Sequence, residues 1–568
     1  MRKGNYINKT IQYYSKRINV LIPILMLVLI NIICHDYFFR IDLTTEKKYS
    51  ISANTKKLTE EIDDIIYFKI FLHGDLPPQY KKLANELKYM LYELKAQSDY
   101  IEFDFIDPSS MKNKEYQLNL QKELYSQGIV PIPHRNYENN KMEETWIFPG
   151  FTANYKTQEI SMSLIADILS NNSDEVIKKS IENLEFLLMS TIIKLTTKKQ
   201  KIGLISGHGE TINEKIKSFK NNLKNHYQII EIEAINGQLN AIENLDCIII
   251  NNPIYFFSEK DKFIIDQFIM NGGKVVWMLN GTNANMDSLE RKNQMVATPI
   301  DNRNLHDMLF NYGVRINYDI IQDLQAASIP IVTHYIKEKP QWTFFPWTFF
   351  PVSNGSKEHV ITQNINPVKL QFPSSIDIID NQLNKIVLLE TSNNTKKLST
   401  PAIINLENLK TPPNEGDFIG GKQNIAILLE GIFSSVFQNR IPLELQNNKD
   451  IDFKEKTESE NKMVIISDSY FINNQFLKGN ALPLGFDKHT GTQYGNGTFI
   501  FNTIDYLLGN EVFIQVRSKN IELRLLNQKK TKSEKKYWQL LNLLSPTILI
   551  LLIGLLIRTR RKYKHRRI

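Results

Sequence analysis

Residues 246–279, DCIIINNPIYFFSEKDKFIIDQFIMNGGKVVWML, carry the clearest architectural signal in the chain. Asp246 to Ile250 is almost continuously apolar, as a strand covered on both faces must be. Ser258 and Asp261 stand in a capping arrangement at the head of a helix over Ser258–Asn271, and Gly272-Gly273 stops it. A second apolar strand, Lys274–Leu279, follows at once. Strand, helix and strand in this order predict a parallel pair joined by a crossover helix.

The same alternation extends outward. Upstream, a strand over Lys201–Ser206 meets the turn Gly207-His208-Gly209-Glu210, a helix runs to about Asn225, and a strand covers Tyr227–Ile232. Downstream, strands are expected at Lys385–Leu389, Asn424–Glu430 and Lys462–Ser467, the last running into Asp468. The natural product is an α/β fold, a doubly wound parallel sheet over 201–515. Within it, 300–380 is an insertion rich in aromatics and proline. It holds a tandem repeat, Trp342-Thr-Phe-Phe-Pro346 and Trp347-Thr-Phe-Phe-Pro351, which its prolines keep out of an ordinary helix. Such Trp and Phe residues suit either a recognition surface or a hydrophobic lid over the sheet. The stretches 391–415 and 439–461, rich in Asn, Lys, Thr and Glu, read as loops.

Ahead of this domain, 40–172 reads as a smaller α/β unit. Ser52 is placed to cap a helix from about Asn54, and a strand over Ile65–Leu72, a helix over Pro78–Ser98 and a strand over Ile101–Ile106 form a second βαβ pattern. The simplest assembly is thioredoxin-like, but without a Cys-x-x-Cys pair thiol redox chemistry is excluded there. Ser173–Thr196 reads as one long helix in a connecting segment, 173–200. Its stripe Ile177, Ile181, Leu184, Leu188, Ile192, Leu195 serves core packing or a partner helix.

The chain has 568 residues with 69 Lys and Arg against 61 Asp and Glu, a net charge of +8. Residues 1–17 hold five cations and 558–568 hold seven, with no acid in either. Subtracting those twelve from +8 leaves −4 for everything between, so the basicity belongs to two tails and a nucleic-acid-binding body is disfavoured. Next to each tail lies an apolar run: Ile18–Cys34, flanked by Lys16-Arg17 and by Tyr37-Phe38-Phe39, an aromatic belt that extends the span to 18–39, and 538–557, in which Leu540–Ile557 is free of charge. Both read as transmembrane helices, the first run being short for a span without its aromatic belt. The residues Asn31 to Asp36 lack the small side chains of a signal-peptidase site, and bulky Ile33 disfavours lipidation of Cys34. Positive charge stays on the cytoplasmic side, so a two-pass protein of a bacterial inner membrane is expected. Both tails would be cytoplasmic and the bulk periplasmic, with 516–537 as a juxtamembrane segment.

A search for chemistry yields little. Gly272-Gly273-Lys274 is followed by Val and Gly420-Gly421-Lys422 by Gln, so neither makes a P-loop. No serine-hydrolase elbow, His-Glu-x-x-His or Cys/His cluster occurs, and neither a cofactor nor a metal is expected. Gly207, His208, Gly209 and Glu210 remain, at the carboxyl end of a parallel strand, where such sheets place ligands. The glycines would admit a close backbone approach, His208 could transfer a proton and Glu210 could orient it, with Asp468 on the same rim. The alternative is a tight turn whose polar groups satisfy local backbone. Cys247, second in the strand at 246–250, reads as a core thiol.

Nine stretches together resemble a known family: RIDLTTEKKYSISANTKKL (40–58), FLHGDLPPQYKKL (71–83), FDFIDPS (103–109), SGHGE (206–210), FSEKDKFIIDQFIMNGGKVVWMLNG (257–281), NYGVRINYDIIQDLQ (311–325), FFPWTFFPV (344–352), FPSSID (372–377) and SDSYFIN (467–473). They run along nearly the whole chain in the order found in gliding-motility-associated (GldG-like) auxiliary subunits of ABC transport systems, part of the ABC-type uncharacterised transport auxiliary family. The resemblance implies a non-catalytic partner of a membrane permease and of a separate cytoplasmic ATPase, with an unnamed cargo or envelope partner. It further implies that the large domain is amidotransferase-like without the catalytic cysteine. The doubling of WTFFP departs from the single copy expected. Two other readings stay open: a membrane-anchored hydrolase or transferase using His208 and Glu210, and a solute-binding subunit with a cleft in the large domain.

Overall fold

The computed structural model describes residues 51–565 apart from 52, 111–112, 139–140, 166–172, 211–213, 337–338, 439, 441–452 and 518–534. The expected first membrane span, 18–39, and the basic tail before it lie outside the described residues. The chain divides into two units, 1–520 and 521–568.

The first unit opens with helix α1 (Ala53–Glu60), strand β1 (Ile66–Ile70), helix α2 (Pro78–Lys95) and strand β2 (Ile101–Phe105). Pro78 at the first turn is pre-set for a helix start, and Leu83, Leu87, Leu91 and Leu94 form its buried stripe. An excursion with a helix over Lys114–Ser126 and a hairpin of Ile132–Glu138 with Lys141–Ile147 leads to β3 (Gly150–Tyr155) and β4 (Gln158–Ser163). The resulting sheet has the order β2-β1-β3-β4, parallel between β1 and β2 and antiparallel beyond. The expected single helix over Ser173–Thr196 is two, α3 (Ser173–Glu182) and α4 (Leu184–Thr196), broken at Asn183. At Asn183 (φ −93°, ψ −2°) the backbone tightens, its N–H shared between Lys179 O at 3.1 Å and Ser180 O at 3.2 Å, and this separates the two helices. The expected stripe is buried on both pieces and joins the core of this sheet.

The second sheet is built from β5 (Lys201–Ile205), helix α5 (Lys217–His226), β6 (Gln228–Ile232), β7 (Cys247–Asn251), helix α6 (Glu259–Met270) and β8 (Lys274–Met278). The hairpin strands β9 (Ala326–Ile336) and β10 (Lys339–Ser353) and the short β11 (Val368–Lys369) follow, then β12 (Asn384–Glu390), β13 (Asn424–Gly431), β14 (Asn461–Ile466), and helices α7 (Asn496–Leu507) and α8 (Glu511–Arg517). Its order is β12-β13-β14-β8-β7-β5-β6. The five strands from β14 to β6 are parallel, but β13 is antiparallel to both neighbours, so the sheet is mixed where an all-parallel one was expected. The physical reason is connectivity: no crossover helix is described between β12 and β13 or between β13 and β14, and strands joined without one pair antiparallel. Residues alternate between two apolar layers, Ile249, Val276 and Met278 facing α5 and α7, and Ile248, Ile250, Val275 and Trp277 facing α6. Ser258 Oγ accepts from Asp261 N at 3.1 Å, as the capping arrangement predicts. Cys247 is fully buried in this core and burial pushes its thiol up.

Part of 391–415 is not loop but strand: Thr395–Ser399 pairs with Asp319–Asp323, and Ala402–Asn405 with Gln294–Ala297. Partners 72 to 111 residues away in sequence supply that order, so local composition carried no trace of it. Most of 439–461 lies outside the described residues.

The tandem repeat lies on β10. Its first copy pairs in register, from Trp342 with Val332 to Pro346 with Ser328, whereas Pro351 is next to pair, with Ala326. Four residues, Trp347 to Phe350, therefore stand against one, Ala327, and the second copy is a broad bulge. The bulge sinks Trp347, Phe349 and Phe350 into an apolar cluster with Ile329 and Phe372. Trp342 stays 53% exposed, beside the His489 ring.

At the end of this unit α8 packs against both α1 and α4, and Thr55 Oγ1 donates to Glu185 Oε1 at 2.8 Å. The first and last described helices of the body are thus neighbours. In the second unit, helix α9 (Lys535–His565) contains Tyr537–Arg560, a 24-residue segment long and apolar enough to cross a membrane. At 1.5 Å per residue it spans about 36 Å. Pro546 lies inside it.

Candidate functional site

The turn after β5 is set by two close approaches. A Cβ on Gly207 would lie 2.8 Å from the Ala234 backbone, and Gly209 has φ +79° with Ile254 and Tyr255 packed where a side chain would project. The carbonyl of His208 accepts from Ile254 N and Tyr255 N, each at 2.9 Å, which pins the loop after β7 onto the turn. His208 is buried and lies flat on Phe257, with ring centroids 3.6 Å apart.

Each imidazole nitrogen of His208 faces a carboxylate. Nδ1 is 3.4 Å from Glu210 Oε1, and Nε2 is 3.4 Å from Asp261 Oδ2. The other oxygen of Glu210 accepts from His208 N at 2.6 Å. Asp261 also accepts from Gly237 N at 2.8 Å and from Ser258 Oγ at 2.8 Å. Burial opposes charge on the imidazole, but the bonds and fields of Asp261 and Glu210 outweigh it and raise His208 to about 9. Burial raises the Asp261 carboxyl, and His208, Gly237 N–H and Ser258 more than reverse this, leaving it below its ordinary value. The unit is an enclosed imidazolium between two anions, a charge arrangement that locks a turn.

Asp468 does not join it. It follows β14, three strand spacings or roughly 14 Å from β5. It is fully buried and accepts from Gln371 N and Tyr470 N, both at 2.7 Å. Burial pushes it to about 7 against those backbone donors. Trp342 and Trp347, expected in a recognition surface or a lid, are split between solvent and core. The residues missed were Asp261 and Phe257. Asp261 was legible as part of a helix cap, but its second role depends on a contact 53 residues away in sequence.

A family model described as "ABC-type uncharacterized transport system" matches residues 199–503, more than half of the chain. A second, a domain of unknown function (DUF7088), matches 45–154. An uncharacterized protein of Borreliella burgdorferi (strain ATCC 35210 / DSM 4680 / CIP 102532 / B31) is 22% identical over 570 residues, covering 98% of this chain and 99% of the relative. Among solved structures, the mmIFT52 N-terminal domain overlaps with a TM-score of 0.31 at 13% identity, covering 54% of this chain and 97% of that one. The helix cap, the SGHGE turn and the β14 strand end all fall inside the first match, and the chain belongs to the ABC-type uncharacterized transport system family.

Proposed function

We propose that this chain is a non-catalytic, membrane-anchored auxiliary subunit of an ABC transport system of the gliding-motility (GldG-like) type. The observation that carries the reading is the family match over 199–503. In this reading the body lies in the periplasm and both basic tails in the cytoplasm of a two-pass inner-membrane protein. The spans contact a permease, ATP hydrolysis belongs to a separate cytoplasmic subunit, and the body meets a cargo or envelope partner. The packing of α1 against α8 supports this topology, because two spans entering one bilayer require the body to begin and end on one side. The order β2-β1-β3-β4 supports a thioredoxin-like small domain.

The enclosure of His208 by Glu210, Asp261 and Phe257 supports a structural role for Gly207, His208, Gly209 and Glu210 over a hydrolase or transferase centre. Purification from gently solubilised membranes should recover a permease and an ATPase with this chain. Repeated recovery of the chain alone overturns the reading, as does an active alkaline phosphatase fused to the C-terminus.

A further inference from the structure

A cleft of about 690 Å³ is lined by the helix His306–Tyr312 and by the extended run that follows it, far from the His208 turn in sequence. Its volume falls within the roughly 300–1,000 Å³ of small-molecule sites. Helical spacing sets His306 and Phe310 in one row and Asp307 and Asn311 in the next, and all four line the cleft. Gly313, left-handed at φ +100°, ends the helix and turns the chain into Val314–Ile316, which pairs with Ile376–Ile378. That pairing fixes Arg315, Asn317 and Tyr318 in the remainder of the lining.

The charged groups of this lining are already matched. Asp307 accepts from Lys262 at 2.8 Å and from Arg440 at 2.6 Å, and Arg315 pairs with Asp377 at 2.6 Å. Burial, then the charge of Arg303, holds the His306 imidazole below its ordinary value, so it is neutral at physiological pH. An ion entering the cleft would meet no unmatched opposite charge.

Aromatic faces and amide oxygens are what the cleft has to offer. The Tyr318 hydroxyl is hydrogen-bonded to His306 Nε2, and the two rings meet edge to face with centroids 5.2 Å apart. Phe310 beside them is 48% exposed, and among the described residues no ring meets it. Asn311 Nδ2 donates to Asp307 O at 2.7 Å and Asn317 Nδ2 to Ser375 Oγ at 3.0 Å. Both side-chain oxygens are left as acceptors with no donor among the described residues.

We propose that this cleft binds a phenol-type ring, a neutral aromatic group carrying one hydroxyl donor. The ring packs on Phe310 next to the His306–Tyr318 pair, in the offset or edge contacts that aromatic groups prefer, and its hydroxyl donates to Asn311 or Asn317. A wholly apolar guest would strip water from those oxygens and return no hydrogen bond. The source is a tyrosine side chain of a polypeptide or a free phenol.

The test titrates the full chain, in detergent, with N-acetyl-tyrosinamide, p-cresol and N-acetyl-leucinamide by isothermal calorimetry. The two phenols should bind and the leucine amide should not. Phe310→Ala should weaken phenol binding about tenfold, the scale of a lost ring contact, and Phe310→Leu, which restores apolar bulk without a ring, should recover little of it. Both variants alter a half-exposed side chain and should keep the wild-type melting temperature. Tighter binding of N-acetyl-tyrosinamide than of p-cresol assigns the site to a polypeptide side chain, and the reverse order to a free phenol. No binding of either phenol, equal binding of the leucine amide, or wild-type affinity in Phe310→Ala overturns the proposal. The cleft does not depend on the transport reading, so failure to recover a permease would leave this result untouched.

Discussion

The imidazole of His208 and the ring of Phe257 are stacked at 3.6 Å with their planes 9° apart, and this contact closes the turn after β5 against the loop after β7. The charge of His208 is consequently part of what holds two strand ends together, and stability should follow its titration.

Because its value in the native state is raised to about 9 from an ordinary 6.5, His208 contributes fully below about pH 6.5. That contribution is lost as pH rises through 9, and is worth about 3 kcal/mol at most. Urea midpoints of the wild type should fall between pH 6 and pH 9.5 by more than those of His208→Gln. Parallel curves would remove the imidazolium from the account.

Asp468 works in a lower window. Its native value is raised to about 7 from 3.8, so the folded state keeps a proton that the unfolded chain releases. The contribution of Asp468 should decline as pH rises from 4 to 7, by about 4 kcal/mol at most, and add no further slope above. In Asp468→Asn this decline should vanish while the slope due to His208 persists. Chemical denaturation at pH 4.5, 6 and 7.5 measures it.

Gly209 and Gly272 both have positive φ, +79° and +90°, but only Gly209 has neighbours where a Cβ would be placed. Gly272→Ala should therefore lose about 1 kcal/mol, the left-handed backbone penalty by itself. Gly209→Ala should lose about 2–4 kcal/mol, since Ile254 must also move. The added loss should appear as faster proteolysis at 253–257; equal losses would mean that the loop after β7 is not pinned by this turn.

The two tryptophans of the repeat should differ sharply. Trp347→Ala empties the cluster with Phe349 and Phe372 and is expected to cost about 3–5 kcal/mol. Trp342→Ala, at a half-exposed site, should cost under about 1 kcal/mol. Equal melting temperatures for the two variants would contradict the bulge.

Much of the α/β framework could be read from periodicity, because β7 and β8 are buried on both faces and Ser258 marks the helix between them. What escaped is set by distant pairing. Thr395–Ser399 is a strand because Asp319–Asp323 is there to pair with it, and the reversal of β13 shows only in its antiparallel pairing with both neighbours. The turn residues His208 and Glu210 stood out as chemically able, yet their surroundings were invisible: Asp261 had a sufficient local explanation as a cap, and nothing near Phe257 in sequence marks it as the partner of His208.

The contact between α1 and α8 makes the folded body a closed loop of chain, entered and left at one corner. A short peptide joining residues 517 and 53 would then permit new termini elsewhere without opening either sheet. Force applied between residues 53 and 517 would load that helix pair before it reached the β strands.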